Sequence, residues 1–275
     1  MAADGAKIAS YSAYISNGVT SGAAALDMDA TKIESFLTSS SQATVAYGGT
    51  LGLSANNLKS LSTTYTSKMT EGLAYFSFSG NTQAIDFGTK IAAAATTGAS
   101  GLTGLSATEM KAMLGEITSA GMTGMGKVGS LTQAELATLN QQMLAGNLSA
   151  AKASGMTAAA MDELKSTLST AALAGTEAAI GAMATKYGST VTYDSATYTA
   201  VNSTLLSAYN TTTGLLTSNY SYAATTATYA STIVSVTTGS TGGSSSSASS
   251  GSSCSSQSSG YGSARVLVKL PEGQT

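Results

Sequence analysis

The residue types that most often carry catalysis or bind metals are nearly absent from this chain. Its 275 residues include no histidine, no tryptophan, one cysteine and one proline, and 9% of them are charged, whereas soluble domains carry about 25% charged residues. Histidine is the side chain that changes its charge near neutral pH, and it is a common metal ligand. The composition therefore predicts a protein that is not an enzyme and has no cofactor or metal site.

The strongest local match to a chemical motif is the glycine-rich stretch Gly121-Met-Thr-Gly-Met-Gly126-Lys127-Val128. Its spacing approaches that of a phosphate-binding loop, but Val128 stands where a Mg²⁺-binding Ser or Thr is required. This motif and the overlapping dinucleotide fingerprint both need a buried strand before them, and the preceding residues have the pattern of a capped helix. We therefore predict a flexible glycine-rich link between two helices.

Three other patterns lack the residues that their chemistry requires. Ser149-Ala-Ala-Lys152 matches the S-x-x-K of serine acyl enzymes, but neither partner motif of those enzymes occurs in the chain. Asp27 and Asp29 begin like a calcium-binding loop, but Lys32 replaces its glycine. The adjacent acids Asp162 and Glu163 would diverge on a helix, so they do not form an acid–base pair.

Charge and hydropathy argue against nucleic-acid binding and against a membrane span. The net charge is −2 and the chain has a single arginine, Arg265, so it lacks the cations that nucleic-acid binding requires. No window has the ~20 consecutive apolar residues of a membrane span. The first residues also lack the apolar segment of a signal peptide. The protein therefore stays inside the cell, leaves it by a route without a cleaved leader, or has already lost its leader. Of these alternatives, the composition favours an extracellular or cell-surface assembly reached without a cleaved signal peptide.

Residues 1–190 have the pattern of an Ala/Gly-rich helical body. Ser106-Ala-Thr-Glu109 and Thr132-Gln-Ala-Glu135 match the capping box that begins many helices. Apolar residues at helical spacing follow each box, namely Met110, Met113, Leu114 and Ile117, then Leu136, Leu139, Met143 and Leu144. The likeness between these segments is too loose to define a repeat family. We predict a mainly α fold, a bundle of short capped helices.

Residues 191–238 continue a regular spacing of tyrosines. Tyr187, Tyr198, Tyr209 and Tyr220 are each 11 residues apart, and an 11-residue period keeps one stripe of a helix aligned. The segment is therefore predicted to form one long C-terminal helix, with these tyrosines as interaction residues. A set of strands is the alternative, because the segment is rich in Thr and Tyr and contains Gly214.

The chain closes with a linker and a tail. Residues 239–262 are rich in Ser and Gly, which predicts a flexible linker. Residues 263–275 contain a β-prone run that Pro271 halts, and its predicted interaction residues are Val266, Leu267, Val268 and Leu270. A single strand is not stable alone, so residues 264–270 are expected to add to a sheet edge of this chain or of another subunit. A frayed tail is the alternative.

The overall composition favours association between copies of the chain. Alanine buries little apolar area, and a net charge near zero gives little repulsion between copies. The bias towards Ala, Ser, Thr and Gly resembles that of secreted bacterial filament proteins such as flagellins. These features predict a non-enzymatic subunit that self-assembles into a filament, sheath or layer, with its tail as a latch. The alternative is a linker or scaffold subunit that docks its tail on a partner in a larger complex.

Overall fold

Eight α-helices, two short 3₁₀ turns (Gly49–Leu51 and Gly72–Tyr75) and a short hairpin form the described part of the chain. The computed structural model describes residues 5–26, 28–189, 191, 195–213 and 215–216. The helices are α1 (Gly5–Ala25), α2 (Ala30–Gly48), α3 (Ala55–Glu71), α4 (Asn81–Ser100), α5 (Ala107–Met125), α6 (Gln133–Ala153), α7 (Ala158–Tyr187) and α8 (Ser195–Ala208). The antiparallel hairpin pairs β1 (Tyr209–Asn210) with β2 (Leu215–Leu216). The mainly α prediction is confirmed. The predicted linker and tail lie outside the described residues.

The helices are arranged as consecutive pairs in two layers. In one layer α1, α3, α5 and α7 lie side by side in that order, and in the other α2, α4 and α6 do the same, with α8 against α6 and α7. From α1 to α5, each helix thus packs mainly on helices two places away along the chain. This is the arrangement of a stacked helical repeat, in which each pair contacts only its neighbours.

The stack has a period of about 51 residues, because the helices of the first layer begin at Gly5, Ala55, Ala107 and Ala158. The corner before three of them repeats as Gly52-Leu-Ser-Ala, Gly104-Leu-Ser-Ala and Gly155-Met-Thr-Ala. Each of these glycines has a positive φ, of 62°, 84° and 91°, which glycine adopts without strain. The chain therefore contains a repeat, contrary to the sequence analysis.

The residue after the Leu or Met of each corner caps the helix that follows. The side-chain oxygens of Ser54, Ser106 and Thr157 each accept a hydrogen bond from the backbone N–H three residues on. The two predicted capping boxes are confirmed. The Glu135 carboxylate of the second box accepts a hydrogen bond of 2.7 Å from the backbone N–H of Thr132. These caps fix where each helix of the stack begins.

The glycine-rich stretch at residues 121–128 is part of the packed body, so the predicted flexible link is wrong. Helix α5 continues through it as far as Met125. A Cβ on Gly124 would overlap Thr70 and the Ser67 carbonyl of α3, and one on Gly126 would lie 2.6 Å from the Cα of Ala179 in α7. Glycine stands at these positions because the neighbouring helices approach too closely for a side chain.

The helix predicted for residues 191–238 is shorter than expected in its described part. It begins at Ser195 and ends at Ala208, where the hairpin follows. The side-chain oxygen of Asn210 accepts hydrogen bonds from the backbone N–H groups of Thr212, at 2.9 Å, and Thr213, at 3.1 Å. Such a bond stabilises a turn in place of a further helical turn. The rest of the predicted helix lies outside the described residues.

Candidate interaction surface

The predicted tyrosine stripe is divided among three elements. Tyr187 ends α7, Tyr198 lies in α8 and Tyr209 lies in β1, so a single helix does not align them. The Tyr187 hydroxyl donates to the Lys127 carbonyl at 2.8 Å, and the Tyr198 hydroxyl donates to the Leu136 carbonyl at 3.1 Å. These bonds tie the C-terminal elements to the body.

Two of these tyrosines are buried within the chain. Tyr198 is 2% exposed and Tyr209 is 3% exposed, and burial raises the pKa of the Tyr209 hydroxyl. In the described structure these two side chains therefore belong to the core of the chain itself. Tyr220 lies outside the described residues, as do Val266, Leu267, Val268 and Leu270.

Three of the charged groups weighed as chemical candidates are engaged in ion pairs. Asp162 pairs with Lys165 at 3.3 Å, and Glu163 pairs with Lys111 of the neighbouring helix α5. Lys127 of the glycine-rich stretch pairs with Glu71 at 3.2 Å, so its ammonium group is directed at α3. Within the described residues no three His, Cys, Asp or Glu side chains gather where they could hold a metal ion.

Glu71 is the centre of a three-residue charge cluster that joins α3 to the turn after α5. Its carboxylate accepts hydrogen bonds from Lys68 at 2.8 Å and from Lys127 at 3.2 Å. Partial burial raises the pKa of this carboxyl, but the hydrogen bonds and charges of the two lysines outweigh burial and hold the pKa of Glu71 below its ordinary value. The cluster therefore contributes to stability where the carboxylate is ionised.

Two open grooves run along the outer surface of the first layer. The groove between α3 and α5 has a volume of about 350 Å³, and the groove between α5 and α7 has about 500 Å³. Their walls are mostly Ser, Thr and Ala side chains, with Glu116 shared by both. Glu116 is bound by Lys59 at 2.9 Å and by Thr63 at 3.3 Å. The walls thus offer hydroxyl and methyl groups around one carboxylate, which is ion-paired.

The first helix pair carries most of the large apolar side chains that the described structure exposes. Tyr14 is 74% exposed, Tyr11 64%, Ile15 53% and Phe36 44%. The remaining exposed members are Leu26, Tyr47, Leu51 and Tyr75. Five of these eight side chains belong to α1 and α2, and exposed apolar surface of this kind is where interaction sites are found.

The repeat shows why Tyr11 and Ile15 are unusual. Tyr11 is the seventh residue of α1, and the seventh residues of α5 and α7 are Met113 and Leu164, which are both buried. Ile15 is the eleventh residue of α1, and the eleventh residues of α3, α5 and α7 are Tyr65, Ile117 and Leu168, all buried. Core positions of the repeat are therefore at the surface in the first pair, where no helix precedes α1 within the described chain.

In the second layer, too, a core position of the repeat is exposed in the first pair. Phe36 is the seventh residue of α2, and the seventh residues of α4 and α6 are Phe87, 4% exposed, and Leu139, 0% exposed. The equivalent position is thus buried in the next two pairs and 44% exposed in the first. Both helices of the first pair therefore present core positions to solvent at the same end of the stack.

A glycine at the eighteenth position of the repeat is closely packed in the later helices of the first layer and uncovered in α1. Counted from the first residues of α3, α5 and α7, this position is occupied by Gly72, Gly124 and Gly175. A Cβ on any of these glycines would overlap the preceding helix of the layer. Gly22 is the equivalent residue of α1, and a Cβ there would have nothing within 4 Å. We call the surface formed by Tyr11, Ile15, Gly22 and Phe36 the leading face.

Comparison with known proteins does not identify the chain. No protein-family model matches the sequence, and no curated protein matches it. In the described residues no helix has the length and apolar character needed to cross a membrane.

Sequence reasoning missed the leading face. The signal that could have found it is the spacing of Gly22, Gly72, Gly124 and Gly175, together with the recurring Gly-Leu/Met-Ser/Thr-Ala corner. Aligning the chain on these positions shows which apolar residues of α1 stand at core positions of the repeat.

Proposed function

We propose that this chain is a non-enzymatic structural subunit that assembles with copies of itself through the ends of its helix stack. The observation that carries the proposal is the leading face. In later pairs its apolar positions are covered by the preceding pair, whereas in the first pair they are open to solvent. Terminal repeats of stable stacks present a polar outer face, so an apolar end face favours association.

Burial of this face would favour association. Burying a large apolar side chain completely stabilises a protein by about 1.5–3 kcal/mol. Tyr11, Ile15 and Phe36 still expose 64%, 53% and 44% of their surface, so each retains much of that energy for an interface. Lys7 is the single charged residue of α1, so docking at this helix removes few charges from water.

The mass of the native chain in solution tests the proposal. We expect light scattering coupled to gel filtration to show oligomers whose mass rises with concentration, and electron microscopy to show their form. The double variant Tyr11→Ser/Ile15→Ser is expected to be a monomer with unchanged helical circular dichroism, because both side chains are more than half exposed within one chain.

Leu51→Ser is the matched control. Leu51 is 52% exposed, but its equivalents in the next two pairs are the polar residues Thr103 and Ser154, so it stands at no core position of the repeat. We expect this variant to assemble like the native chain. A native chain that stays monomeric at the highest attainable concentration would contradict the proposed function.

A further inference from the structure

We infer that two copies pair through their α1 helices, which lie antiparallel across a two-fold axis at the leading face. This inference rests on the proposed function and adds a symmetry and a register to it. The contact is formed by Tyr11, Ile15, Gly18 and Gly22, which we call the α1 stripe. All four residues are exposed within one chain, and a Cβ on Gly18 or Gly22 would have nothing within 4 Å.

The two sides of α1 differ in polarity in the opposite sense from an ordinary surface helix. The inner side, which packs on α3, buries the hydroxyl-bearing residues Ser12, Ser16 and Thr20. Their hydroxyls donate to backbone carbonyls four residues earlier, at 2.7, 2.6 and 2.9 Å. The outer side exposes Tyr11 and Ile15, whereas the outer side of a surface helix is normally polar. The outer side of α1 therefore has the composition of a second packing face.

The spacing of the α1 stripe is that of a seam between packed helices. Its members are separated by four, three and four residues, and this alternation keeps one side of a helix aligned with a neighbouring helix. In the later helices of the first layer the equivalent glycines lie against a neighbouring helix. The α1 stripe thus has both the spacing and the glycine of an internal contact, without a helix in front of it among the described residues.

The α1 stripe is complementary to itself when the second helix is reversed. Its first two members have large side chains and its last two are glycines. In an antiparallel pair centred between Ile15 and Gly18, each Ile15 lies opposite Gly18 of the other copy. Each Tyr11 then lies opposite Gly22 of the other copy. Every large side chain meets a position without one, and the two-fold axis forms each of these pairs twice.

The leading face is the end of the described stack that is left uncovered. At the other end α8 packs on α6 and α7, and its Tyr198 is buried there. Pairing the leading face with itself needs no second open face on the chain. A two-fold contact of this kind closes on itself, so the assembly ends at two copies.

The size of the leading face is sufficient for a dimer. Helix α1 has 21 residues, which is a length of about 30 Å, and packed helices such as α1 and α2 lie about 8–10 Å apart. The face therefore measures roughly 30 Å by 20 Å, or about 600 Å². A standard interface buries about 800 Å² of accessible surface on each partner, so the face has the size of a concentration-dependent dimer contact.

Charge does not oppose the pairing of two α1 helices. Lys7 is the single charged residue of α1. The antiparallel register separates the Lys7 residues of the two copies by about 28 Å along the helix axis. This distance exceeds the Debye length of about 8 Å at physiological salt, so the two ammonium groups do not repel each other appreciably.

Exchanging a large residue with a glycine inside the α1 stripe tests the register. Gly18→Ile places a second large side chain opposite Ile15, so it is expected to halve the mass measured by light scattering where the native chain is a dimer. The double variant Ile15→Gly/Gly18→Ile again sets one large residue opposite one glycine, so the dimer mass should return. Circular dichroism verifies that both variants keep the native helix content.

Gly181→Ile is the matched control for this exchange. Gly181 lies in α7, and a Cβ there also has nothing within 4 Å, so the substitution adds the same side chain at an open helical position away from the stripe. We expect this variant to keep the native dimer mass.

Cysteine cross-linking tests the direction of pairing without the exchange. The register places position 11 of one copy opposite position 22 of the other, whereas two copies of position 11 lie about 16 Å apart along the axis. Disulfides require Cα atoms within about 7 Å. In a Cys254→Ser background, an equimolar mixture of Tyr11→Cys and Gly22→Cys is therefore expected to form a cross-linked dimer under mild oxidation, and neither variant alone should do so.

Other outcomes overturn the inference while the proposed function survives. A disulfide dimer of Tyr11→Cys alone would show that the two helices are parallel. A native mass that grows beyond two copies, or a native mass that Gly18→Ile leaves unchanged, would show that the copies associate in another way. A folded double variant that stays monomeric would show that Ile15 does not pack opposite Gly18. A native chain that is itself monomeric removes both the proposed function and this inference.

Discussion

Glycine has opposite effects at equivalent positions of this stack. Gly124 lies against the backbone carbonyl of Ser67, whereas Gly22 has nothing within 4 Å of a potential Cβ. Glycine in a helix is destabilising by about 0.5–1 kcal/mol relative to alanine unless close packing requires it. The same residue type is therefore required at one position and unfavourable within a single chain at the other.

Alanine substitution separates these two effects. Gly124→Ala is expected to lower the free energy of unfolding by about 1–3 kcal/mol, because the new methyl group overlaps the neighbouring helix. Gly22→Ala is expected to raise it by up to about 1 kcal/mol when the chain is dilute enough to be a monomer. Urea unfolding followed by circular dichroism measures both, and equal shifts of the same sign would contradict the assignment.

The Glu71 cluster predicts a pH-dependent contribution to stability. Because lysine contacts hold the pKa of Glu71 below its ordinary value of 4.5, its stabilisation is complete above that value and is lost as the pH falls through the lowered pKa. Glu71→Gln is therefore expected to lower the free energy of unfolding by about 1 kcal/mol at pH 7. The difference should vanish in acid.

Glu177→Gln is the control for this experiment. Glu177 is an exposed residue of α7 and forms no ion pair within the described residues. We expect its substitution to leave stability within about 0.5 kcal/mol at either pH. A difference for Glu71→Gln that persists unchanged at low pH would show that the effect does not come from the charge of the carboxylate.

At the scale of the elements, Tyr198 fixes α8 to the body. Its hydroxyl donates to the carbonyl of Leu136 in a buried setting. Tyr198→Phe is expected to lower the free energy of unfolding by about 1 kcal/mol, since it leaves that carbonyl without this donor. Thermal or urea unfolding measures the loss, and the oligomer mass should not change. Tyr14→Phe, at an exposed tyrosine, should alter stability by less than about 0.5 kcal/mol.

Local signals in the sequence predict the helices but not their arrangement. The capping boxes at Ser106 and Thr132 depend on four consecutive residues, so they can be identified without the fold. The glycine-rich stretch has the composition of a linker, and only the position of Ser67 and Ala179 explains why it is helical and closely packed. The tyrosine period predicts a longer helix than forms, because the Asn210 turn interrupts it.

The candidate surface could not be predicted from composition. Whether Ile15 is core or surface depends on whether another pair precedes it in the stack, and its residue type is the same in either case. The repeat is hard to recognise in the sequence because the recurring corner is four residues long while the helix interiors differ. The long-range period, and not any single motif, identifies the leading face.

At the scale of the whole molecule, the stack predicts a gradient of local stability. Interior helices have neighbours on both sides, whereas α1 has a layer neighbour on one side in the described chain. In a stack, stability is roughly a sum of nearest-neighbour terms. Hydrogen exchange followed by mass spectrometry is therefore expected to show faster exchange for α1 and α2 than for α5 in the dilute monomer.

Assembly should reverse this gradient at the end of the stack. At concentrations where copies associate, amides of α1 are expected to gain protection, while those of α5 change little because α5 is already covered on both sides. Protection that rises equally throughout the chain would indicate a general stabilisation and not docking at the leading face.

The recurring corner also makes the chain modular. Because a Gly-Leu/Met-Ser/Thr-Ala turn ends each unit at the same backbone geometry, duplication of the segment from Gly104 to Ser154 would insert a complete helix pair and leave every other corner in register. Such an insertion would lengthen the stack by about 8–10 Å, the usual distance between packed helices. Gene duplication could thus change the length of this protein in whole units while both of its end faces stay the same.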